Sequence, residues 1–317
     1  MGRFQLRGDY IMAASDFRLI RPVTITDAIV TSNSVAEADA TEWTSGTRVI
    51  GDLRMVTTTA NGASVATHYI YQANTTTGAD PTLVANQGTG NGWDIVGATN
   101  AWKMFDPEYQ TQTTNTDTIV VDIAPVVGVN AVALLNLDAA SVTVSQTTTG
   151  YTSTQNLVSQ EVLNWYDFFF ELPTRRADAV FTDIPPFAGK TLTVTIDSTG
   201  STAKCGTLVV GTQKVLGATQ WEANRSINDY STAAEAADGV VTLTQGGYSK
   251  RLNMEFNVPV GFESEATRIL EEYRATPMVF VGSEDYAMTI IYGFLGSWAV
   301  PISNTGRNAF VEIKGLI

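Results

Sequence analysis

The chain has 317 residues, enough for about two or three domains of ordinary size. Charged residues make up only 16 %, acidic residues outnumber basic ones by 32 to 19, and the formal net charge is −13. A field of this sign repels polyanions, which argues against nucleic acid and membrane insertion. A single Cys (Cys205) and a single His (His68) exclude an internal disulfide framework and a metal centre built from several thiolates or imidazoles.

The sequence predicts mostly β-structure, because Thr, Val and aromatic residues are abundant and Gly, Asn, Asp and Pro interrupt them at short intervals. Residues 17–26 predict a first strand, in which Pro22 indicates an edge or a bulge. We assign this strand and its flanks to an N-terminal arm over residues 1–40. No apolar stretch has the length of a membrane helix and no signal peptide is recognisable.

Residues 41–106 predict a small β domain with short strands at 53–57 and 68–72 and a long polar loop over 74–91. A unit of this size buries little apolar surface, so its tryptophans must supply much of its core.

From residue 107 the pattern alternates between apolar and polar positions, with turns every ~8–12 residues, which is typical of an antiparallel sandwich. We therefore predict a jelly-roll-like β-sandwich over residues 107–217. Its predicted strands are residues 116–123, 131–137, 141–146, 165–172, 179–182, 191–196 and 206–210.

Residues 218–317 predict a C-terminal β-rich or α+β assembly region. Its predicted strands are residues 239–244, 250–258, 278–282, 288–292 and 310–313. Residues 262–276 place their apolar side chains on one helical face, and Pro277 ends this amphipathic helix. The predicted fold class is thus mainly β: a small module, an antiparallel sandwich and a β-rich C-terminal part with one helix.

The residues that could carry catalysis favour structural interpretations. Glu271 and Glu272 are adjacent on the polar side of the predicted helix, where adjacent side chains do not face each other, and Glu284 with Asp285 lies in a loop. His68 begins a strand, which favours a hydrogen-bonded structural role. No nucleophile elbow, phosphate loop or dinucleotide motif occurs. We therefore expect no enzymatic activity, no cofactor and no metal.

One segment favours binding. Trp43-Thr-Ser-Gly-Thr-Arg-Val-Ile-Gly-Asp52, the strand with Tyr71, Pro81 in the following loop and Trp93 resemble the small chitin-binding-type carbohydrate-binding module of bacterial chitinases. The resemblance implies a glycan-facing surface lined by Trp43, Tyr71 and Trp93, with Asp52 and His68 as polar neighbours. Flat aromatic faces stack on sugar rings, which gives this role a physical basis.

This resemblance has one departure and one competing interpretation. Where the family carries an aromatic residue three positions before its Gly, this chain has Arg48. The same aromatic residues that would bind a glycan are also those that a small module needs for its core. An architectural use of the module therefore stands beside the glycan-binding one.

The order of segments over residues 15–317 resembles tail-associated structural proteins of tailed bacteriophages and prophages. The segments that carry this resemblance are residues 20–30, 97–106, 183–187, 209–219, 291–294 and 312–316. The middle sandwich is also similar to the galactose-binding, discoidin-like jelly roll. The resemblance implies a virion protein of the tail tip, baseplate or fibre-attachment region that is made in the host cytoplasm. Its implied partners are copies of itself, other tail proteins and host-surface polysaccharide.

Two other classes remain as alternatives. The first is a lectin-like polysaccharide-binding module that belongs to no particle. The second, a glycan-cleaving tailspike, would need a carboxylate pair in a groove and a long repetitive β-helix, and the sequence shows no such repeat.

Overall fold

The computed structural model describes residues 15–57, 67–159, 165–170, 174–220, 223–235, 239–284, 286–301 and 308–316. The backbone divides into two compact units: Val23–Val210, and Met1–Pro22 together with Gly211–Ile317. The predicted mainly β fold class is confirmed. No helix in these described ranges is long and apolar enough to cross a membrane.

Strands outnumber helices in both units. In chain order the strands are β1 (Asp16–Pro22), β2 (Val30–Asn33), β3 (Thr41–Glu42), β4 (Leu53–Val56), β5 (Tyr69–Ala73), β6 (Trp93–Ala98), β7 (Thr113–Ile123), β8 (Ala131–Asp138), β9 (Ser141–Gln146), β10 (Tyr151–Asn156), β11 (Val158–Ser159), β12 (Thr174–Arg175), β13 (Ala179–Phe181), β14 (Leu192–Thr219), β15 (Asn224–Asp229), β16 (Thr232–Glu235), β17 (Val241–Thr244), β18 (Tyr248–Asn257), β19 (Met278–Val281), β20 (Ile290–Ala299) and β21 (Asn308–Gly315). The α-helices are α1 (Trp165–Phe170) and α2 (Glu263–Glu272), and single 3₁₀ turns occur at Val84–Asn86, Lys103–Phe105 and Ala287–Thr289.

Within Val23–Val210, β3 to β6 form a separate four-stranded sheet in sequence order. The β3–β4 pair is parallel and the other pairs are antiparallel. Its small core consists of Val56, Tyr71, Ala73 and Trp93, against which Trp43 and Tyr69 pack. Two large aromatic side chains thus contribute most of the apolar volume of this module, as expected for so small a unit.

The remainder of this unit is an antiparallel sheet centred on the first part of β14. Residues 192–197 pair with β7 on one side and with β9 on the other, and β8 joins β14 to β13. Alternate residues of β7 and β14, such as Ile119, Val121, Val194 and Ile196, are buried in one large core cluster. This period of two is the pattern from which a sandwich with one buried face per strand was predicted.

In the other unit, six strands close into a ring of antiparallel ladders in the order β14-β1-β19-β20-β21-β18 and back to β14. Phe17 and Phe256 lie in its core with their ring centroids 4.6 Å apart. The helix α2 covers this core with Ala266, Ile269 and Leu270. The predicted helix over 262–276 is confirmed, with shorter bounds.

The predicted strands 191–196 and 206–210 are parts of one continuous strand, β14. A further predicted element has the wrong secondary structure. Residues 165–172 were expected to form a strand, but Trp165–Phe170 is helical. Its consecutive aromatic residues have no alternation of apolar and polar positions, and short apolar runs do not distinguish a strand from a helix. Residues 1–14, and residues 58–66 between β4 and β5, lie outside the described residues.

Candidate functional site

Two of the aromatic residues predicted to face a glycan lie in the core of the small module. Tyr71 and Trp93 are both 0 % exposed. The Trp93 indole Nε1 donates a hydrogen bond to the carbonyl oxygen of Ala79 at 2.9 Å, and burial raises the pKa of the Tyr71 hydroxyl to about 12. Neither ring is open to a ligand, so these two side chains fill the architectural role that the sequence left as an alternative.

Trp43 and Asp52 lie at the edge of this core. Trp43 is half-buried and packs against it, while Asp52 forms an ion pair with Arg54 at 3.5 Å. Arg48, which replaces the family's aromatic residue, donates to the Thr44 carbonyl and hydroxyl oxygens at 3.0 and 3.1 Å. The Arg48 guanidinium therefore connects two positions of the same loop, where the carbohydrate-binding family has an aromatic side chain.

His68 is buried, and three segments distant in sequence converge on it. Its Nε2 lies 2.6 Å from Asp27 Oδ1, and its Nδ1 lies 2.9 and 3.0 Å from the two carboxylate oxygens of Glu37. The imidazole stacks on the indole of Trp102, with centroids 3.8 Å apart and planes at 15°. Thr99 donates a further hydrogen bond to Glu37 at 2.5 Å. We call these five residues the His68 clamp.

The clamp favours the charged imidazole. Burial alone would lower the pKa of His68, but the hydrogen bonds to Glu37 and Asp27 outweigh it, so the pKa is raised above 6.5. Both ring nitrogens are occupied by carboxylates. Neither can accept a proton from a substrate unless one of these contacts first breaks, so the geometry is that of a structural connection and not of a general base.

A cleft of about 500 Å³ lies beside the clamp. Trp102, Phe105 and Tyr69 contribute aromatic walls, and Asp27 and Asp106 contribute carboxyl groups. Burial raises the pKa of Asp106 to about 6, although hydrogen bonds from the Glu108 amide and the Thr111 hydroxyl act in the opposite direction. A few polar groups between aromatic walls can hold a small polar molecule, which makes this cleft the candidate binding site of the module.

The remaining candidate residues are placed as follows. Glu271 and Glu272 are exposed on α2, Glu284 pairs with Arg18 at 3.0 Å, and Asp285 lies outside the described residues. Cys205 is fully buried, which raises the pKa of its thiol to about 12. In the described ranges no group of three or more His, Cys, Asp or Glu side chains could hold a metal ion.

A second candidate surface is the hairpin formed by β16 and β17. All eight of its strand residues are exposed, and the two strands form a two-stranded sheet of their own. It continues the β15–β18 ladder, because the Tyr230 amide donates to the Gly247 carbonyl at 3.0 Å and the Gly246 amide donates to the Ser231 hydroxyl at 3.0 Å. The composition of this segment, rich in Ala, Thr and Gly, did not single it out.

No protein-family model matches the chain, and no curated protein matches it significantly.

Proposed function

We propose that the chain is a non-enzymatic structural protein of a phage tail that assembles in multiple copies near the tail tip, baseplate or fibre-attachment region. The placement in a tail rests on the order of sequence segments over residues 15–317. The assembly in multiple copies rests on the exposed β16–β17 hairpin.

The hairpin supports assembly because it lacks the packing that stabilises a sheet. Across its ladder Ala233 faces Leu243 and Glu235 faces Val241, while the opposite face carries mainly threonine side chains. Leu243 is 78 % exposed. A two-stranded hairpin is marginally stable in water unless a further strand or a packed layer covers it. A neighbouring subunit that pairs with or packs on the hairpin supplies that cover.

Host-surface glycan is a further proposed partner, at a different place from the one expected. With Tyr71 and Trp93 buried, the cleft beside His68 is the part of the small module whose aromatic and carboxyl groups suit a sugar. Retention on immobilised host polysaccharide, lost in a Tyr69→Ala variant and kept in Trp43→Ala, would support this assignment. Retention that is kept in Tyr69→Ala and lost in Trp43→Ala would instead assign the site to Trp43.

The experiment that tests the main proposal is immunogold labelling of purified phage particles, imaged by electron microscopy. Gold at the end of the tail is the expected result, and its position separates tip from collar. Unlabelled particles, in preparations where the protein is expressed and the epitope is accessible, would contradict the proposal. The lectin-like module outside any particle would then become the leading function.

A further inference from the structure

The helix α1 carries four exposed aromatic side chains. The short strands β11 and β12, which precede and follow the helix in the sequence, pair with each other, with Val158 opposite Arg175. Trp165 and Tyr166 are 80 % and 70 % exposed, and Phe169 and Phe170 are 64 % and 72 % exposed. The side chains of residues 167 and 168 lie outside the described residues.

The four rings form two ordered pairs along the helix. Trp165 stacks with Phe169 at a centroid distance of 6.1 Å and an interplanar angle of 16°, and Tyr166 lies 5.1 Å from Phe170. Both pairs have the i, i+4 spacing of one helix face. We call these four residues the aromatic patch.

The area of the aromatic patch is that of an interface core. An aromatic side chain presents ~150–250 Å², and at the observed exposures the four rings leave roughly 430–720 Å² in contact with water. The largest apolar patch on a typical monomer is ~300–600 Å², and a standard protein interface buries ~800 Å² on each partner. The patch alone therefore supplies about half or more of one side of a stable interface.

We infer that the aromatic patch is covered by the same patch of a second copy of this chain, across a two-fold axis. Aromatic rings pair with other rings in offset or edge-to-face arrangements, so a patch made of rings is complementary to itself. A two-fold interface brings identical surfaces together and needs no second recognition site. The net charge of −13 disfavours an anionic lipid surface as the occupant. The inference rests on the proposed assembly in multiple copies and names one of its contacts.

The first test compares self-association of the full chain and of a Trp165→Ser/Phe169→Ser variant by sedimentation velocity over a range of concentrations. Both substitutions are on the surface, and circular dichroism checks that the variant is folded. We expect the wild type to form dimers or larger species and the variant to associate ~30-fold or more weakly, as for the loss of interface hot spots. Phe187→Ser, at a half-exposed phenylalanine elsewhere in the same unit, is the matched control and should associate like the wild type.

The second test uses the single native cysteine, which is fully buried and leaves no reactive background. In Phe169→Cys, mild oxidation should give a disulfide-linked dimer, whereas Phe187→Cys, which keeps the aromatic patch and still associates, should form no disulfide-linked dimer. Equal association of the wild type and the serine variant would overturn the inference, and so would absence of the Phe169→Cys disulfide at a concentration at which the same variant sediments as a dimer. Flotation of the wild type, but not of the serine variant, with neutral phosphatidylcholine vesicles would also overturn it, because lipid would then be the occupant.

These outcomes separate the inference from the proposed function. Gold-labelled tails together with unchanged association of the serine variant would overturn the two-fold contact and leave the tail protein intact. Unlabelled particles together with a patch-dependent dimer would contradict the tail protein and support the two-fold contact.

Discussion

The His68 clamp gives the most direct prediction, because a single imidazole connects segments that are far apart in sequence. The perturbation is His68→Asn. His68 has φ 65°, in the left-handed region, and Asn tolerates this conformation better than most residues. The variant therefore removes the charged ring and its contacts without adding backbone strain.

The magnitude follows from the contacts that are lost. A hydrogen bond to a charged group contributes ~1.5–3 kcal/mol, which applies to the Glu37 contact because that side chain is largely buried. The Asp27 side chain is 57 % exposed, so its contact is worth ~1 kcal/mol or less. Stacking on Trp102 adds ~0.5–1.5 kcal/mol. The variant should lose roughly 2–5 kcal/mol, or roughly 5–20 °C in Tm for a unit of this size.

The loss should depend on pH with a definite sign. The folded pKa of His68 is raised above 6.5, so the folded protein holds this proton more tightly than the unfolded chain. The stabilisation is therefore complete below pH 6.5 and disappears as the pH rises through the folded pKa. Asp106, whose pKa is raised to about 6, titrates at lower pH and is present in both proteins. The difference in Tm between wild type and variant should shrink from pH 6 to pH 9.

Two measurements check this reasoning. Thermal unfolding of both proteins at several pH values gives the difference in Tm. Arg54→Gln, which removes the ion pair with Asp52 and leaves the His68 clamp intact, serves as control. The chain has one histidine, so one imidazole resonance in an NMR titration reports its pKa directly. A pKa at or below 6.5, or a difference in Tm that is the same at every pH, would refute the clamp as described.

Three further predictions concern packing. Trp93→Ala should destabilise the small module by ~3–5 kcal/mol, measured by thermal unfolding. Trp43→Ala, at a half-buried position, should lower the free energy of unfolding by clearly less. Equal losses would contradict the core described for the module. Gly217→Ala should disrupt the pairing of β14 with β18, because the added Cβ would lie 2.1 Å from the Asn257 carbonyl oxygen. We expect a Tm at least several degrees below that of the wild type. Gly78→Ala is the control, because the nearest atom to its Cβ lies 3.8 Å away. Cys205 should react with thiol reagents at pH 8 more than ~100-fold more slowly in the folded protein than after denaturation, since its pKa is about 12, and comparable rates would contradict its burial.

The sequence was informative wherever burial follows a local period. The alternation of Ile119, Val121 and Ile123 predicts a strand with one buried face, and the apolar positions of α2 recur at helical spacing. The run at Trp165–Phe170 has neither period, and its helix is stabilised by ring contacts four residues apart, which a strand interpretation does not anticipate.

Contacts between distant segments could not be predicted in this way. The ring of six strands closes only because β1 pairs with β14, nearly two hundred residues later in the chain, and no local pattern specifies that partner. The same holds for the His68 clamp. His68 itself could be singled out as a hydrogen-bonded histidine, but Asp27 and Glu37 are 41 and 31 residues away and resemble ordinary surface carboxylates in sequence.

The two proposed contact surfaces have different consequences for assembly. A two-fold contact through the aromatic patch joins two copies and no more, because each patch covers the other and neither stays exposed. A particle with more copies needs a second surface, and the β16–β17 hairpin, which belongs to the other compact unit, provides one. Its outer strand edges pair with no other described strand, and its apolar side chains are exposed. A hairpin that pairs with a different surface of its neighbour makes a heterologous contact, which propagates into a ring or a helical array. The combination of one self-complementary surface and one donor hairpin therefore suits a multi-copy tail component better than a free dimeric lectin.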